Sequence, residues 1–238
     1  MNINAKNLDF KKLNAKIRTV DDDIYIDNCC GQRYICSGLK DKKLTINGIA
    51  GNALGAYLNG SIITVNDNVQ DAVGDTMNEG KIIIHGNAGD ALGYAMRGGS
   101  IFVRGEAGYR AGVHMKEYQD KKPVIVIGSR AGSFLGEYLA GGIIIVLGIG
   151  VDDIPIGNFT GTGMHGGCIF IRTNKSLDNL PKQVTPKIAS KDDLKQIEEY
   201  VFEYAKYFEI DAKTIMKDNF YILKPNAKNP YKQLYTAY

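Results

Sequence analysis

Between residues 44 and 172 the chain repeats one short pattern six times: two turn positions four residues apart, the second always glycine, and then a run rich in Ile and Val. The closing glycines follow one another at steps of 19, 19, 19, 24 and 25 residues. Steps this regular indicate a repeat architecture, in which each unit stacks on the next. The paired positions are Gly51 and Gly55, Gln70 and Gly74, Gly89 and Gly93, Gly108 and Gly112, Gly132 and Gly136, and Gly157 and Gly161.

Each repeat carries a single apolar run. One strand in about 19 residues is too little for a propeller blade, which holds four strands in about 40, but it suits one coil of a β-helix. The runs at 82–85, 124–128 and 143–147 show little polar alternation, which is typical of parallel strands covered on both faces. We therefore predict an all-β solenoid, a parallel β-helix of about six regular coils with a C-terminal helical appendage.

The glycines have two predicted uses in such a fold. Some supply corners with positive φ, and others let the backbone of one coil lie about 4.8 Å from the next. The predicted organisation has three parts: a lead-in with an irregular first coil at residues 1–43, the repeats at 44–172, and a linker with a helical tail packed on the solenoid at 173–238.

The composition is that of an ordinary globular protein, with 23% charged and 44% hydrophobic residues. The net charge of +3 is small, and no basic stripe interleaved with aromatic residues suggests nucleic acid. No apolar stretch is long enough for a membrane span, and the first residues lack the apolar core of a signal peptide. Four cysteines are too few for a disulfide scaffold, so we expect a cytoplasmic protein.

The lead-in contains a predicted helix at residues 10–17, with Asp9 as its N-cap. Residues 24–38 are interpreted as strand, turn and strand, forming the irregular first coil. Three cysteines of this segment, together with Cys168, could suggest a metal site, but no pair has zinc-ligand spacing and no histidine lies nearby. We predict buried or edge thiols at Cys29, Cys30, Cys36 and Cys168, and no metal site.

Two insertions, at residues 113–123 and 148–156, lengthen opposite arms of the repeat, and insertions in solenoids often carry binding. The first holds the best polar cluster of the repeats. Acid–base catalysis needs partners that converge from elsewhere in the chain, and the sequence identifies none. We therefore favour an interaction loop over a catalytic cluster at His114, Lys116, Glu117 and Tyr118.

One motif invites a nucleotide-binding interpretation: Gly161, Gly163 and Gly166 satisfy the G-x-G-x-x-G fingerprint. That fingerprint functions between a strand and a helix, whereas here it leads directly into the strand CIFIR. Because no helix follows the glycines, we do not predict NAD binding. His165 and His85 are each isolated, so a structural role is predicted for both, and no residue is predicted to be catalytic or to bind a cofactor.

After Arg172 the glycine pattern ends, and residues 173–187 are interpreted as a connecting segment. A helix is predicted after Ser190, with Asp193 completing a capping box and an apolar stripe from 194 to 208. A second helix is predicted at 211–217, followed by an irregular tail from residue 229. The helices would cover an open strand edge or pack along a flank of the solenoid.

The glycine turns followed by GGSIFVR and GGCIFIR, at residues 98–104 and 166–172, resemble the GXGXG domain, the C-terminal domain of the glutamate synthase large subunit. One of the subunits of formylmethanofuran dehydrogenase is similar in its repeats. With GQRYI ahead of the repeats and NPYKQLY in its tail, the chain looks most like the separate third subunit of archaeal-type glutamate synthases.

The resemblance implies a right-handed parallel β-helix that holds catalytic domains together. It also implies that FMN and an iron–sulfur cluster, as well as the N-terminal cysteine nucleophile, belong to partner subunits: residue 2 here is Asn2, and no cofactor is expected in this chain. The expected partners are an amidotransferase and an FMN-binding synthase subunit, with neither nucleic acid nor membrane, and self-association stays open.

We therefore expect a non-catalytic scaffold subunit of a glutamate synthase-type complex. The alternatives are a component of a formylmethanofuran dehydrogenase-type complex, similar to the subunit with these repeats, and an independent β-helix enzyme or binding protein. A hexapeptide acyltransferase is disfavoured because steps of 19 residues are not multiples of six, and a polysaccharide lyase because the strands are almost wholly apolar.

Overall fold

A computed structural model describes residues 1–21 and 23–226. It confirms the predicted fold class: the chain is a parallel β-solenoid of about 8 turns with a helical appendage. The elements are β1 (Asn2–Asn4), α1 (Phe10–Arg18), β2 (Ile24–Cys30), β3 (Lys43–Ile49), β4 (Asn59–Val65), β5 (Glu79–Ile84), β6 (Ser100–Val103), β7 (Val124–Ile127), β8 (Ala140–Val146), β9 (Gly166–Arg172), β10 (Val184–Ile188), α2 (Lys191–Lys195), α3 (Glu198–Phe208), α4 (Ala212–Lys217) and β11 (Phe220–Pro225).

One sheet connects all the strands of the described residues, in the order β1 to β9, then β11, then β10. The first nine strands are parallel, and β11 enters antiparallel between β9 and β10. The linker segment thus contains an edge strand, β10, that the sequence analysis missed. Its Pro186 is tolerated because an edge strand does not need every backbone N–H for pairing.

The interior is built from side chains that repeat in register from coil to coil. The first inward ladder is at most 1% exposed and the second is fully buried, so each step adds two apolar side chains to one continuous core. Burying each such side chain contributes about 1.5–3 kcal/mol. The first ladder is Ile24, Leu44, Ile63, Ile82, Ile101, Ile125, Ile144 and Ile169; the second is Ile26, Ile46, Val65, Ile84, Val103, Ile127, Val146 and Ile171.

From Gly55 to Gly136 the closing glycine of each turn lies against this first ladder, and Gly161 lies against Val184 of β10 instead. Gly93 has φ +65°, and a Cβ there would lie 2.5 Å from Cδ1 of Ile125, which belongs to the strand of the following coil. The opening glycine meets backbone instead: a Cβ at Gly132 would lie 2.7 Å from the carbonyl carbon of Gly108, one coil earlier. Glycine is therefore required in the turns for two reasons: the closing position has positive φ, and both positions lie too close to the neighbouring coil for a Cβ.

The first coil is more regular than the sequence indicated. Residues 31–38 contain no second strand; they form a turn in which Tyr34, Cys36 and Gly38 have positive φ, as Ala53, Gly55 and Tyr57 do one coil later. The prediction of a strand there was wrong because Cys36 occupies the position that glycine holds in the other turns. The glycine pattern therefore hides this repeat.

Helix α1 closes the N-terminal end of the core. The Asp9 carboxylate accepts a hydrogen bond from the Lys12 N–H, which caps the helix as predicted, and Leu13 and Ile17 are fully buried against the first coil. The predicted helix boundaries differ from those of the structure by one residue.

The C-terminal helices lie along a flank of the solenoid. Tyr204 and Phe208 of α3 pack against the outward residues of β5 to β9, among them Phe102 and Phe170, so these strands are covered on both faces. The predicted capping box at Ser190 is present, but the stripe is divided between α2 and α3. The irregular tail predicted from residue 229 lies outside the described residues.

Valine substitutions at Gly93 and Gly150 separate the two demands on a turn glycine. Both have positive φ, but a Cβ at Gly150 meets no atom within 4 Å. We expect Gly150→Val to lower the free energy of unfolding by about 1–2 kcal/mol through backbone strain. Gly93→Val should cost about 1–3 kcal/mol more through overpacking against Ile125. Urea titration measures both, and equal losses would contradict the role given to the isoleucine ladder.

Two phenylalanines of α3 test how much the helix contributes. Phe208 is 4% exposed beneath the helix, whereas Phe202 is 42% exposed on its outer side. We expect Phe208→Ala to lower the free energy of unfolding by about 3–5 kcal/mol, and Phe202→Ala to change it by less than about 0.5 kcal/mol. Thermal and urea unfolding of the matched pair give the values. A small loss for Phe208→Ala would show that the flank does not depend on α3.

Candidate functional site

The turns between strands form a ridge along one side of the solenoid. Two positions of each turn, two residues before and two after the closing glycine, have left-handed backbone with φ between +50° and +62° where the residue is not glycine. Apart from Ala53, which is 8% exposed, the side chains at these positions are half-buried or exposed, and we call this row the turn ridge. From the second coil to the seventh its pairs are Ala53 and Tyr57, Ala72 and Thr76, Ala91 and Ala95, Arg110 and His114, Phe134 and Tyr138, and Phe159 and Gly163.

Hydrogen bonds between coils hold the ridge in this conformation. The Ala53 N–H donates to the Asp71 carbonyl of the next coil, and the Gly55 N–H donates to the Ile35 carbonyl of the previous one. Because alternate amides point in opposite directions along the axis, each turn is tied to both neighbours. Side chains on the ridge are therefore displayed from a rigid backbone.

The repeats provide an internal comparison of what the ridge requires. In the second, third and fourth coils its positions hold mostly alanine, which satisfies the fold. In the next three coils the same positions hold Arg110, His114, Phe134, Tyr138 and Phe159. A left-handed backbone costs a side-chain-bearing residue about 1–2 kcal/mol, so glycine would be more stable at each of them. Packing within the fold does not account for these large residues.

The large residues form two columns along the axis. The rings of Phe134 and Phe159 stack at 5.0 Å with 19° between planes, and the guanidinium of Arg110 lies 5.3 Å from the Phe134 centroid. In the second column His114 and Tyr138 stack at 5.0 Å with 10° between planes. These distances match the spacing of coils, because corresponding residues of neighbouring turns lie one strand separation apart.

Two further tyrosines extend the surface. The Tyr94 ring meets His114 edge-on at 5.9 Å, and Tyr109 lies next to Arg110 around a shallow depression shared with Phe134. Tyr94, Tyr109 and Phe159 are 40%, 58% and 56% exposed. We call the whole set the aromatic ridge: Tyr94, Tyr109, Arg110, His114, Phe134, Tyr138 and Phe159.

The chemistry of the aromatic ridge is that of a protein interface. Tyrosine and arginine are enriched among residues whose truncation weakens protein complexes most. Rings held in fixed columns lose little side-chain entropy when they are buried, so binding to them costs less than binding to mobile side chains. Glu137 pairs with Arg110 at 3.4 Å and orients the guanidinium beside the rings.

The predicted interaction loop is divided by the structure. His114 joins the aromatic ridge, whereas the Glu117 carboxylate accepts a hydrogen bond at 3.0 Å from the Gly142 N–H in β8. Tyr118 and Lys121 close a turn, and Lys121 forms an ion pair with Glu79 at the start of β5. Lys116 is exposed. The four predicted residues therefore do not converge on one point, and of the four His114 is the one that belongs to the aromatic ridge.

The second insertion lines a cleft of about 270 Å³ at the other end of the strands. Arg172, which lines this cleft, already has partners within the fold: its Nε donates to Asp218 Oδ2 at 2.7 Å, and its Nη1 donates to the Leu147 carbonyl at 2.6 Å. The guanidinium therefore serves to join β9 to the segment before β11.

The thiols and two histidines occupy structural environments. Burial raises the pKa of Cys29 and of Cys168 to about 11, and it raises the pKa of Cys36 further, so these thiols are protonated and unreactive at neutral pH. Burial lowers the pKa of His85, with a smaller contribution from Arg104, and its ring meets Phe208 at 5.2 Å. His165 Nδ1 lies 3.1 Å from the Gly163 carbonyl. Within residues 1–21 and 23–226 no three His, Cys, Asp or Glu side chains are grouped to hold a metal ion.

The aromatic ridge was missed by the sequence analysis, although a signal for it exists. Aligning the repeats on their closing glycines places the ridge positions at fixed offsets, where the change from alanine to aromatic residues becomes visible.

None of the helices that the structure describes has the length and apolarity needed to cross a bilayer.

Comparison with known proteins agrees with this architecture. The model of the GXGXG motif family matches residues 6–227. The uncharacterized protein MJ1350 of Methanocaldococcus jannaschii is 44% identical over 249 residues, which cover 98% of this chain and 95% of that protein. The family match extends over the whole solenoid and its helical appendage. The chain belongs to the GXGXG motif family.

Proposed function

We propose that this chain is a non-catalytic scaffold subunit of a glutamate synthase-type complex. In such a complex glutamine and 2-oxoglutarate are converted to glutamate on partner subunits, which would carry FMN and the iron–sulfur cluster. The observation that carries the proposal is the aromatic ridge: a surface suited to protein contact on a chain of the GXGXG family. An amidotransferase and an FMN-binding synthase subunit are the partners proposed, in the cytoplasm.

The shape of the solenoid supports a scaffold role. Eight steps between β1 and β9 at about 4.8 Å give a rigid axis of roughly 38 Å. Between the first turn, at residues 31–38, and the last, at residues 157–163, every step is tied by strand pairing on one side and by ridge hydrogen bonds on the other. Two partners bound at separate places along such an axis would keep a fixed distance, as substrate transfer between active sites requires.

The size of the ridge is consistent with part of an obligate interface. Seven large side chains across four consecutive coils make a contiguous centre, while stable assemblies bury more than about 2,000 Å² in all. The ridge would therefore supply the central contacts, with polar residues of neighbouring turns forming the rim.

Copurification from the native cell tests the proposed complex. We expect the chain to coelute with a yellow flavoprotein and with glutamine-dependent glutamate formation, and the isolated recombinant chain to show neither. Release of ammonia from glutamine by the isolated chain, or flavin bound to it, would contradict the proposal. Coelution with molybdenum- or tungsten-containing subunits would instead select the formylmethanofuran dehydrogenase alternative.

A matched pair of ridge variants tests the contact surface. Phe134→Gly removes a ring from the aromatic ridge, and Tyr57→Gly removes a ring from the other left-handed position of the turn, two residues after the closing glycine, in a coil nearer the N-terminus. We expect Phe134→Gly to weaken binding of the copurifying partner at least tenfold and Tyr57→Gly to leave it unchanged. The free energy of unfolding of Phe134→Gly should stay within about 1 kcal/mol, because relief of backbone strain offsets the lost stacking.

Equal partner affinities for the two variants would remove the aromatic ridge from the interface while leaving complex membership intact. Measuring affinity by surface immobilisation, and folding by circular dichroism on the same samples, separates a binding defect from a folding defect.

A further inference from the structure

The N-terminal end of the solenoid carries a second surface in which aromatic rings meet positive charge. The Phe10 ring of α1 lies 5.8 Å from the Tyr34 ring of the first turn. The guanidinium of Arg33 lies 5.6 Å from the Phe10 centroid. Arg18 donates a hydrogen bond to a carbonyl of the same turn at 2.6 Å, and Lys11, seven residues earlier, lies on the same side of the helix. We call these five residues the basic end: Phe10, Lys11, Arg18, Arg33 and Tyr34.

Tyr34 is larger than the fold requires. Its backbone is left-handed, with φ +57°, and such backbone disfavours a residue that carries a side chain. The corresponding positions of the next three coils hold only alanine: Ala53, Ala72 and Ala91. Packing on Phe10 covers part of the Tyr34 ring but leaves the residue 46% exposed. The internal packing of residues 1–21 and 23–226 therefore accounts for only part of this side chain.

Lys11 is also placed against a local preference. It lies in the first turn of α1, where the helix dipole disfavours a positive charge, and that turn holds no acidic residue. Its neighbour Lys12 forms an ion pair with the capping Asp9 at 3.8 Å, whereas Lys11 forms none with any described residue. Positions at which a sequence departs from local preference are commonly functional ones. Tyr34 and Lys11 thus mark the same surface by two independent departures.

The cations of the basic end have no counter-charge within the fold. Lys11, Arg18 and Arg33 are exposed, and none of the three forms an ion pair within residues 1–21 and 23–226. Lysine and arginine donate strong hydrogen bonds to carboxylates. Tyrosine and arginine are enriched among the residues that contribute most to protein complexes. The basic end therefore suits a protein segment that presents carboxylates.

Two observations favour an acidic protein segment over a nucleic acid or a membrane. Asp21 and Asp23 are exposed in the loop that follows α1. A phosphate backbone, with a charge at every nucleotide, would meet these carboxylates as well as the cations, whereas a short segment with few carboxylates can pair with the cations alone. Leu13 and Ile17 of α1 are fully buried, so the helix has no apolar face to insert into lipid.

We propose that the basic end binds an acidic segment of a partner protein. Carboxylates of the segment pair with Lys11 and Arg33, and its adjoining residues pack on the exposed part of Tyr34. The contact is separate from the aromatic ridge, which begins with Tyr94 in the fourth turn. Three steps of about 4.8 Å, each tied by hydrogen bonds between turns, place the first turn about 14 Å from the fourth. The contact does not depend on the glutamate synthase assignment.

Carbodiimide crosslinking of the chain in its native assembly tests the contact, because this reagent joins a lysine amine directly to a carboxylate paired with it. The tagged full-length chain is crosslinked in extract of the native cell and recovered, and its crosslinked peptides are identified by mass spectrometry. We expect Lys11 to be joined to an Asp or Glu of another protein, and Lys213, which is exposed in the first turn of α4, to give no crosslink to that protein. Absence of a Lys11 crosslink to another protein, or equal crosslinking of Lys213 to it, would overturn the proposal.

Charge reversal provides a second measurement with a matched control. Lys11→Glu combined with Arg33→Glu reverses two charges at the basic end. Lys191→Glu combined with Lys213→Glu reverses two on the C-terminal helices, where both lysines lie in a first helical turn. We expect the first variant to recover at least tenfold less of the protein crosslinked at Lys11, and the second to recover it unchanged. A glutamate at position 11 suits the dipole of α1, so the fold is expected to persist, and circular dichroism checks this.

Equal recovery of that protein by both variants would contradict the proposal. So would its loss from the unmutated chain after nuclease or detergent treatment, which would assign the basic end to nucleic acid or to lipid. The identity of the crosslinked protein separates this proposal from the previous one. A partner that is neither an amidotransferase nor a flavoprotein would support the contact while counting against a glutamate synthase-type complex.

Discussion

The structure depends on the contact between the closing glycines, from Gly55 to Gly136, and the isoleucine ladder of the following coil. At Gly112, a Cβ would lie 2.4 Å from Cδ1 of Ile144, and the same relation recurs along the axis. The absent Cβ lets a δ-methyl group fill the corner, so the interior closes without a void. Because each glycine serves the next coil rather than its own, the contact also fixes the order and spacing of stacking. Coil length can then vary elsewhere, which is how two insertions are accommodated.

The turn ridge is a consequence of the same constraint. The turn needs left-handed backbone at the glycine and at the positions two residues before and after it, and most of these flanking side chains are half-buried or exposed. Their identity is therefore free of the core, as Ala91 shows beside Arg110 one coil later. A surface built in this way has fixed spacing, because coil stacking sets the 5.0 Å between the Phe134 and Phe159 rings. The fold determines the spacing of the contacts, and the residues at the ridge positions determine their chemistry.

The repeat pattern predicted the solenoid because glycine spacing and apolar runs report the interior directly. Two local signals, the Ser190 and Asp193 pair and the helical spacing of apolar residues, predicted the capping box and the apolar stripe of the C-terminal helices. The sequence patterns did not predict β10 and β11, because their pairing partners lie far away in sequence and short strands have no local period strong enough to reveal them. The first turn was predicted wrongly because Cys36 stands at the position that glycine occupies in the other turns. The aromatic ridge was not predicted because surface residues give no hydrophobic period. Its residues can be recognised only when the same position is compared between repeats.

The outward face of the sheet is covered unevenly along the axis. On β2 to β4 the outward side carries residues such as Tyr25 and Thr45, which are partly exposed. On β5 to β9 most outward residues are apolar and α3 covers them, with Lys81 paired to Glu203 of α3 and Tyr204 donating to the Arg104 carbonyl at 3.1 Å. The C-terminal half is therefore packed on both sides of its strands, and the aromatic ridge lies on that same half. A rigid platform lowers the entropy lost when a partner binds, so the packing of this half favours the partner contact proposed for the aromatic ridge.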